Sequence, residues 1–227
     1  MAQVNVMLSA AFKEAYLVLV PQFERATGHK VESLWATTAQ MVSRLADGAA
    51  VDLVIGPSVR LDEMIAAGLV APGSKTDLAR SGVGVAVRAG APRPDLSSGE
   101  ALKRAVLAAK SIVYSTGPSG LYLAGLFERM GISGQIKDRV KVVQGEPAGA
   151  VVARGEAEIG FQQVSELLPV PGIDLVGPLP PDVQEITTFS TGVPIRAREP
   201  EAAKALVAHF KAPAAIPVIK QWGMEPC

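Results

Sequence analysis

Residues 111–130, SIVYSTGPSGLYLAGLFERM, pass from a short apolar run through the break YSTGPSG (114–120) into a helical pattern. A strand that dissolves into Ser, Thr, Gly and Pro and then turns helical leaves several backbone N–H groups at one spot. The first N–H groups of any helix have no acceptor within it. They sit at the positive end of the helix dipole and form a place where an anion is welcome. The same residues also cap helices with no ligand present. One such loop therefore reads equally as a cap or as a cradle.

The unit recurs on both sides. Val4–Leu8 reads as a strand, followed by a helix with Phe12, Tyr16, Leu19 and Phe23 at helical spacing, ending at Gly28 and containing Pro21. Val31–Trp35 is the next strand, TTAQ (37–40) a loop, and Met41–Ala46 a short helix stopped by Gly48. VDLVIG (51–56) is an unbroken apolar run, as expected of a strand covered on both faces. A helix bearing Leu61, Met64 and Ile65 then ends at Gly68. After the extended stretch SGVGVAVRAGAP (81–92), the pattern restarts with helix 98–109, strand 111–114, helix 119–130, strand 140–143, helix 147–154 and strand 158–161. The Pro-rich stretch 167–184 reads as loop around one short strand, and EITTFSTGVPI (185–195) as a second extended run before helices at 199–211 and about 213–222.

Repeated βα units predict an α/β chain with mostly parallel sheets flanked by helices and right-handed crossovers. The long strands, about 82–88 and 186–194, divide it into two lobes joined by two crossing segments. Lobe 1 takes residues 1–80 and 190–227, and lobe 2 takes 81–189 with the crossing segments. Ligands of such sheets bind beyond the carboxyl ends of the strands, which here predicts an interlobe cleft.

Composition narrows the chemistry. With 22 basic and 22 acidic residues the formal net charge is zero, so a nucleic-acid partner is not expected. No run of about 18 apolar residues is present, so no membrane insertion is expected. The single Cys227 supports neither a disulfide framework nor a Cys-ligated metal. His29 and His209 lie outside the candidate loops and read as structural, as does Asp52 at a strand start. SGVGVAV lacks the dinucleotide spacing G-x-G-x-x-G, GPSGLY lacks the Lys of a phosphate loop, and no G-x-S-x-G elbow occurs. No metal and no cofactor are expected.

What the strand-to-helix loops do offer is a set of neutral donors. Ser9 and Ala10 lie in the first, Thr37 and Thr38 in the second, Ser58 in the third, and Ser115, Thr116 and Ser119 in the fourth. Gly145 follows in QGEP (144–147), and Gln162 and Gln163 in FQQVSE (161–166). Hydroxyls, amides and N–H groups at helix N-termini suit a desolvated anion. If the chain is an enzyme, the loop groups able to move a proton are Glu146, Glu166 and Tyr114.

The motifs TTAQMVSRLADGAAVDLVIGPS, PSGLY, RGEAEIGF and the closing REPEAAKALVAHFKAPAAIPVIKQWGM resemble those of the periplasmic molybdate-binding proteins, solute receptors of ABC importers. The resemblance covers nearly the whole chain. It implies the type II periplasmic-binding-protein fold, a small anionic ligand, a membrane permease as partner, and a monomer. It further implies a periplasmic location, reached after a signal peptide is removed ahead of MAQVNVML. By the resemblance, Thr37 and Thr38 replace paired serines that give a hydroxyl and an N–H, Ser119 replaces an Ala that gives an N–H, and the N–H near Gly145 is a further donor.

The chain departs from that pattern at three places. The first-loop Ser falls at Ala11, with Ser9 two residues earlier; an N–H donor falls at Pro57, which has none; and a Tyr falls at Gln163. A dianion site tolerates few lost donors, at about 1–3 kcal/mol each. The expected ligand is therefore a small organic carboxylate rather than molybdate or tungstate. The resembled family also has an enzymatic offshoot, aconitate isomerase, which sets the alternative, an isomerase of an unsaturated tricarboxylate; a true molybdate- or tungstate-binding protein is the second alternative. The effector domain of a transcription regulator shares the architecture, but the chain has neither a helix-turn-helix nor a basic face.

Overall fold

The computed structural model describes residues 1–227. In chain order the elements are β1 (Gln3–Leu8), α1 (Lys13–Thr27), β2 (Lys30–Trp35), α2 (Thr38–Ala46), β3 (Leu53–Pro57), α3 (Ser58–Ala66) and β4 (Thr76–Arg88). There follow α4 (Gly99–Ala108), β5 (Ile112–Ser115), α5 (Pro118–Arg129), α6 (Ser133–Ile136), β6 (Val140–Val143), α7 (Ala148–Ala153), β7 (Ile159–Gln163) and α8 (Val164–Leu167). The chain closes with β8 (Ile173–Pro178), β9 (Ile186–Gly192), α9 (Pro200–Lys211), α10 (Ile216–Gln221) and β10 (Glu225–Pro226). It divides into two compact units, Met1–Arg80 with Thr188–Cys227, and Ser81–Thr187.

In the first unit β1 pairs in parallel with both β2 and β3, and β9 joins β3 antiparallel. Successive side chains of a strand point to opposite faces, and here both faces are covered. Leu53 and Ile55 join Val4, Val6 and Leu8 in a cluster with Phe12, Tyr16, Leu19 and Phe23 of the α1 region and Leu206 and Phe210 of α9. Val54 and Met7 join Met41, Leu45, Leu61 and Met64 of α2 and α3 on the other side. That is why VDLVIG shows no polar alternation. Gly28 ends α1 in the left-handed region (φ 75°), where its N–H donates to Glu24 O.

Both histidines brace the same helix. His29 Nδ1 accepts from Ala2 N (3.0 Å) and its ring stacks on Phe23, while His209 Nε2 donates to the Leu19 carbonyl (3.1 Å). Asp52 is buried, and its two oxygens receive four N–H groups from Asn5, Arg198 and Glu199.

In the second unit β5 pairs in parallel with β6 and β7, and β4 lies antiparallel to β7 and β8. Val83, Val85, Val87, Ile112 and Phe161 face Leu102 and Val106 of α4 and Leu123, Leu126 and Phe127 of α5. Val113 and Val143 face α7.

Two readings of local structure need correction. TTAQ is not a loop: Thr37 is the N-cap of α2, and Gln40 closes a reciprocal capping box with it. Apolar spacing begins only at Met41, but the Thr-x-x-Gln capping signal carries the helix start back to Thr38. The strand placed at 158–161 runs on to Gln163, so Gln162 and Gln163 belong to β7 rather than to a loop. Hydrogen-bonded registry with β4, Val83 to Gln163 and Gly84 to Gln162, carries the strand two residues further than its apolar run.

Candidate functional site

In the first unit, the candidate residues gather where β1, β2 and β3 end and α1, α2 and α3 begin. Adjacency of these strand ends is direct: Ser9 N–H donates to Ile55 O (3.0 Å), and Ala36 N–H to Leu8 O (3.0 Å). Ser9 has spent its N–H, but its hydroxyl oxygen is buried with no partner. Ala10 is exposed at the start of the short turn that leads into α1. Thr37 differs from expectation in one respect. Its N–H donates to Gln40 Oε1 (2.9 Å), and its hydroxyl is engaged by the same residue. Thr38 and Ser58 are the first residues of α2 and α3, where first-turn N–H groups have no intrahelical acceptor. Pro57 precedes Ser58 and supplies none.

In the second unit, YSTGPSG is the tip of β5 and the first turn of α5. Pro118 takes the first helical position, where its missing N–H costs nothing. The N–H of Leu121 bonds Gly117 O, leaving those of Ser119 and Gly120 without an acceptor in the helix. Ser119 is 1% exposed and its hydroxyl has no partner. Only three buried side-chain polar atoms lack a partner, and two of them are the Ser9 and Ser119 hydroxyls; the third is the Trp222 indole N–H. Buried polar groups are nearly always satisfied, so two orphans in two expected ligand loops mark those loops out. Ser115 Oγ accepts from Gly117 N–H (3.3 Å), shaping the turn, and Thr116 is exposed with its N–H on Val143 O. Gly145 is exposed and left-handed (φ 83°) in the loop before α7.

The glutamine pair is held inside the second unit. Gln162 Oε1 accepts from Ala148 N–H (2.8 Å), and its Nε2 donates to Glu166 Oε1 (2.9 Å). Gln163 is fully buried, and its amide is oriented so that the nitrogen donates to Ser81 O (3.1 Å) while the oxygen accepts from Thr187 (2.9 Å). Neither amide points at open solvent. β-Strand alternation sends them to opposite faces, both covered, and each needs a partner there.

The three proton-moving candidates separate clearly. Glu146 is paired with Arg154 (3.0 Å), which also holds Glu156 (2.6 Å); all three are well exposed. Arg154 and Lys141 keep the Glu156 carboxyl down at about 2. Tyr114 lies against Phe127, and burial pushes its phenol above the usual value, so it stays protonated. Glu166 is the carboxyl with an altered balance. It is half-buried, desolvation pushes its pKa up to about 7, and hydrogen bonds from Gln162 and the Gln163 backbone offset part of that rise. No salt bridge engages it. The sequence carried one signal for this arrangement, two polar residues closing an apolar strand, IGFQQ, and that signal does not say where the amides point.

The sequence profile of the bacterial extracellular solute-binding protein family matches residues 4–225. An aconitate isomerase of a Pseudomonas species is 40% identical over 214 residues, which cover 92% of this chain and 82% of that protein. The molybdate-binding protein ModA of Azotobacter vinelandii is 30% identical, over 98% of this chain and 89% of its own. The solved Azotobacter vinelandii periplasmic molybdate-binding protein superposes with a TM-score of 0.81 at 20% identity, covering 97% of this chain and 98% of that one. With its profile matched almost end to end, the chain belongs to the bacterial extracellular solute-binding protein family, as a molybdate-binding-like member with the periplasmic-binding-protein fold.

Proposed function

We propose that this protein is a periplasmic receptor for a small organic polycarboxylate, which it delivers to the permease of an ABC importer. The observation that carries the reading is the pair of buried, unpartnered hydroxyls, Ser9 and Ser119, each between a strand end and a helix start. Both donate without charge, as suits an anion held in a desolvated site. Three features favour a carboxylate over molybdate: Pro57 lacks an N–H, Gln40 engages both Thr37 donors, and Gln163 faces Ser81 and Thr187. Thermal melting with citrate, cis-aconitate, trans-aconitate, sulfate, molybdate and tungstate tests it. A ligand present at 100 times its Kd adds about 2.7 kcal/mol; the carboxylates are expected to give the large shifts. A large shift with molybdate alone overturns the proposal.

Ser119→Ala gives a second expected result. Removing a buried hydroxyl that has no partner leaves the ligand-free protein as stable as before or slightly more so, while carboxylate affinity falls about tenfold, the loss of roughly one hydrogen bond. Calorimetric titration beside a melting curve separates the two effects. Unchanged affinity removes Ser119 from the site.

A second reading is favoured by the 40% identical aconitate isomerase together with Glu166. In that reading the Glu166 carboxylate takes a proton from the CH2 carbon of the substrate, the double bond shifts by one position, and the same proton returns to the former vinyl carbon. Proton and charge balance without a co-reactant. A group with a pKa of about 7 can both take and return the proton near neutrality. The base form is required first, so turnover is expected to rise with pH through about 7 and then level off. The same shift has the opposite sign for stability: what Glu166 contributes is fully present below the ordinary carboxylate range and is lost as pH rises through 7. Ultraviolet absorbance of cis- and trans-aconitate follows the reaction, and absence of interconversion at every pH sinks this reading.

A further inference from the structure

We infer that Gln162 is a positioning residue for Glu166, bridging it to the first residue of α7 and fixing Oε2 as the carboxyl oxygen that carries and exchanges the proton. The inference rests on the reading that Glu166 moves protons. Its geometry is a chain of three groups with only one consistent polarity. The Ala148 backbone N–H can only donate, so the atom facing it at 2.8 Å must be the Gln162 carbonyl oxygen. That fixes the amide, and its nitrogen faces Glu166 Oε1 at 2.9 Å. An amide nitrogen only donates, so Oε1 must be an acceptor whether or not Glu166 is ionised. The proton, when present, is left to Oε2. Gln162 is 4% exposed and its bond from Ala148 is buried, so water does not readily replace that anchor, while Glu166 at the other end is half-buried.

The surroundings contain no charge that would take over this task. Glu166 lies on α8 (VSEL), which packs on β7 (IGFQQ) and α7 (AGAVVA). None of these segments has another ionisable side chain. Glu146 and Glu156, flanking α7, are committed to Arg154. With no cation to hold the carboxylate, its orientation depends on hydrogen bonds, and the Gln162 amide supplies the side-chain one. The donated bond also favours the ionised form, which keeps Glu166 available as a base.

Two measurements test the inference. In the unaltered protein, side-chain NMR of Gln162 and Glu166 is followed against pH. The two Gln162 Nε2 protons are expected to shift with the Glu166 midpoint near 7, and Gln162 protons that ignore that midpoint overturn the inference. In Gln162→Met, similar in shape but unable to donate, the Glu166 midpoint is expected to rise by about one pH unit. The rising limb of aconitate turnover should move up with it. A midpoint unmoved in Gln162→Met overturns the inference, and if that variant fails to fold, the wild-type titration decides alone. Linked titration of Gln162 and Glu166 in a protein that turns over no aconitate upholds the bridge and removes the isomerase reading instead.

Discussion

Gly120→Ala is expected to abolish folding of the second unit. A Cβ at Gly120 would lie 1.5 Å from the Ser115 carbonyl oxygen and 2.7 Å from its carbon, with Tyr114 Cδ2 at 3.2 Å. The first two are backbone atoms of the preceding strand, so no side-chain rotation relieves the clash. α5 would have to retreat from β5 by more than an ångström, pulling Leu123, Leu126 and Phe127 from the core they share with Ile112 and Phe161. A loss above about 4 kcal/mol is expected, seen as insoluble protein or a collapsed melting transition. Gly125→Ala in the same helix is the control. There the new methyl meets only the mobile end of Arg129, at 3.3 Å, and replacing a mid-helix Gly should stabilise by about 0.5–1 kcal/mol. A Gly120→Ala protein that melts like wild type would show that the close approach of helix to strand is not what shapes this turn.

Asp52→Ala is expected to be the most damaging polar substitution in the first unit. Asp52 Oδ2 accepts from Asn5 N (2.8 Å) and Asn5 Nδ2 (3.2 Å); Oδ1 accepts from Arg198 N (2.8 Å) and Glu199 N (2.9 Å). One carboxylate thus joins β1 to the segment entering α9, whose Arg198 lies 146 residues beyond Asp52. Removing it leaves buried N–H groups without acceptors, each at about 1–3 kcal/mol. A total of about 4 kcal/mol corresponds to a Tm lower by roughly 10 °C for a chain of this size. Asp52→Asn should fall nearly as far, because an amide nitrogen then faces N–H donors. Asn5→Ala, which removes only the longest of the four bonds, should cost about 1 kcal/mol. A mild Asp52→Ala phenotype would mean that water reaches these N–H groups.

Much of this arrangement was legible in the chain. The alternation of strands and helices follows from apolar period and Gly stops, and the apolar run VDLVIG does become a strand covered on both faces. Ser9 and Ser119 stood out in the sequence as hydroxyls between strand and helix, and theirs are two of the three buried side-chain polar atoms left without partners. Other residues were not readable. Thr37 has the composition of a ligand donor, yet Gln40, one turn ahead, accepts from both its donors. Gln162 and Gln163 have the same side chain at adjacent positions and opposite surroundings, because the strand continues through them. Glu166 and Glu146 look alike in sequence; one is half-buried against an uncharged strand and helix, and the other has Arg154 beside it.

What the sequence determined by itself was local: which segments form strands, where helices start and stop, and that YSTGPSG ends a strand and opens a helix with free N–H groups. Those properties depend on backbone sterics, capping and hydrophobic period within a dozen residues. Tertiary structure decided the state of the polar side chains. Whether a hydroxyl is spent, an amide is turned inward, or a carboxyl keeps its proton near neutrality depends on desolvation and on partners far off in the chain. Ala148 reaches Gln162 across 14 residues and Asp52 reaches Arg198 across 146, and no local pattern records either bond.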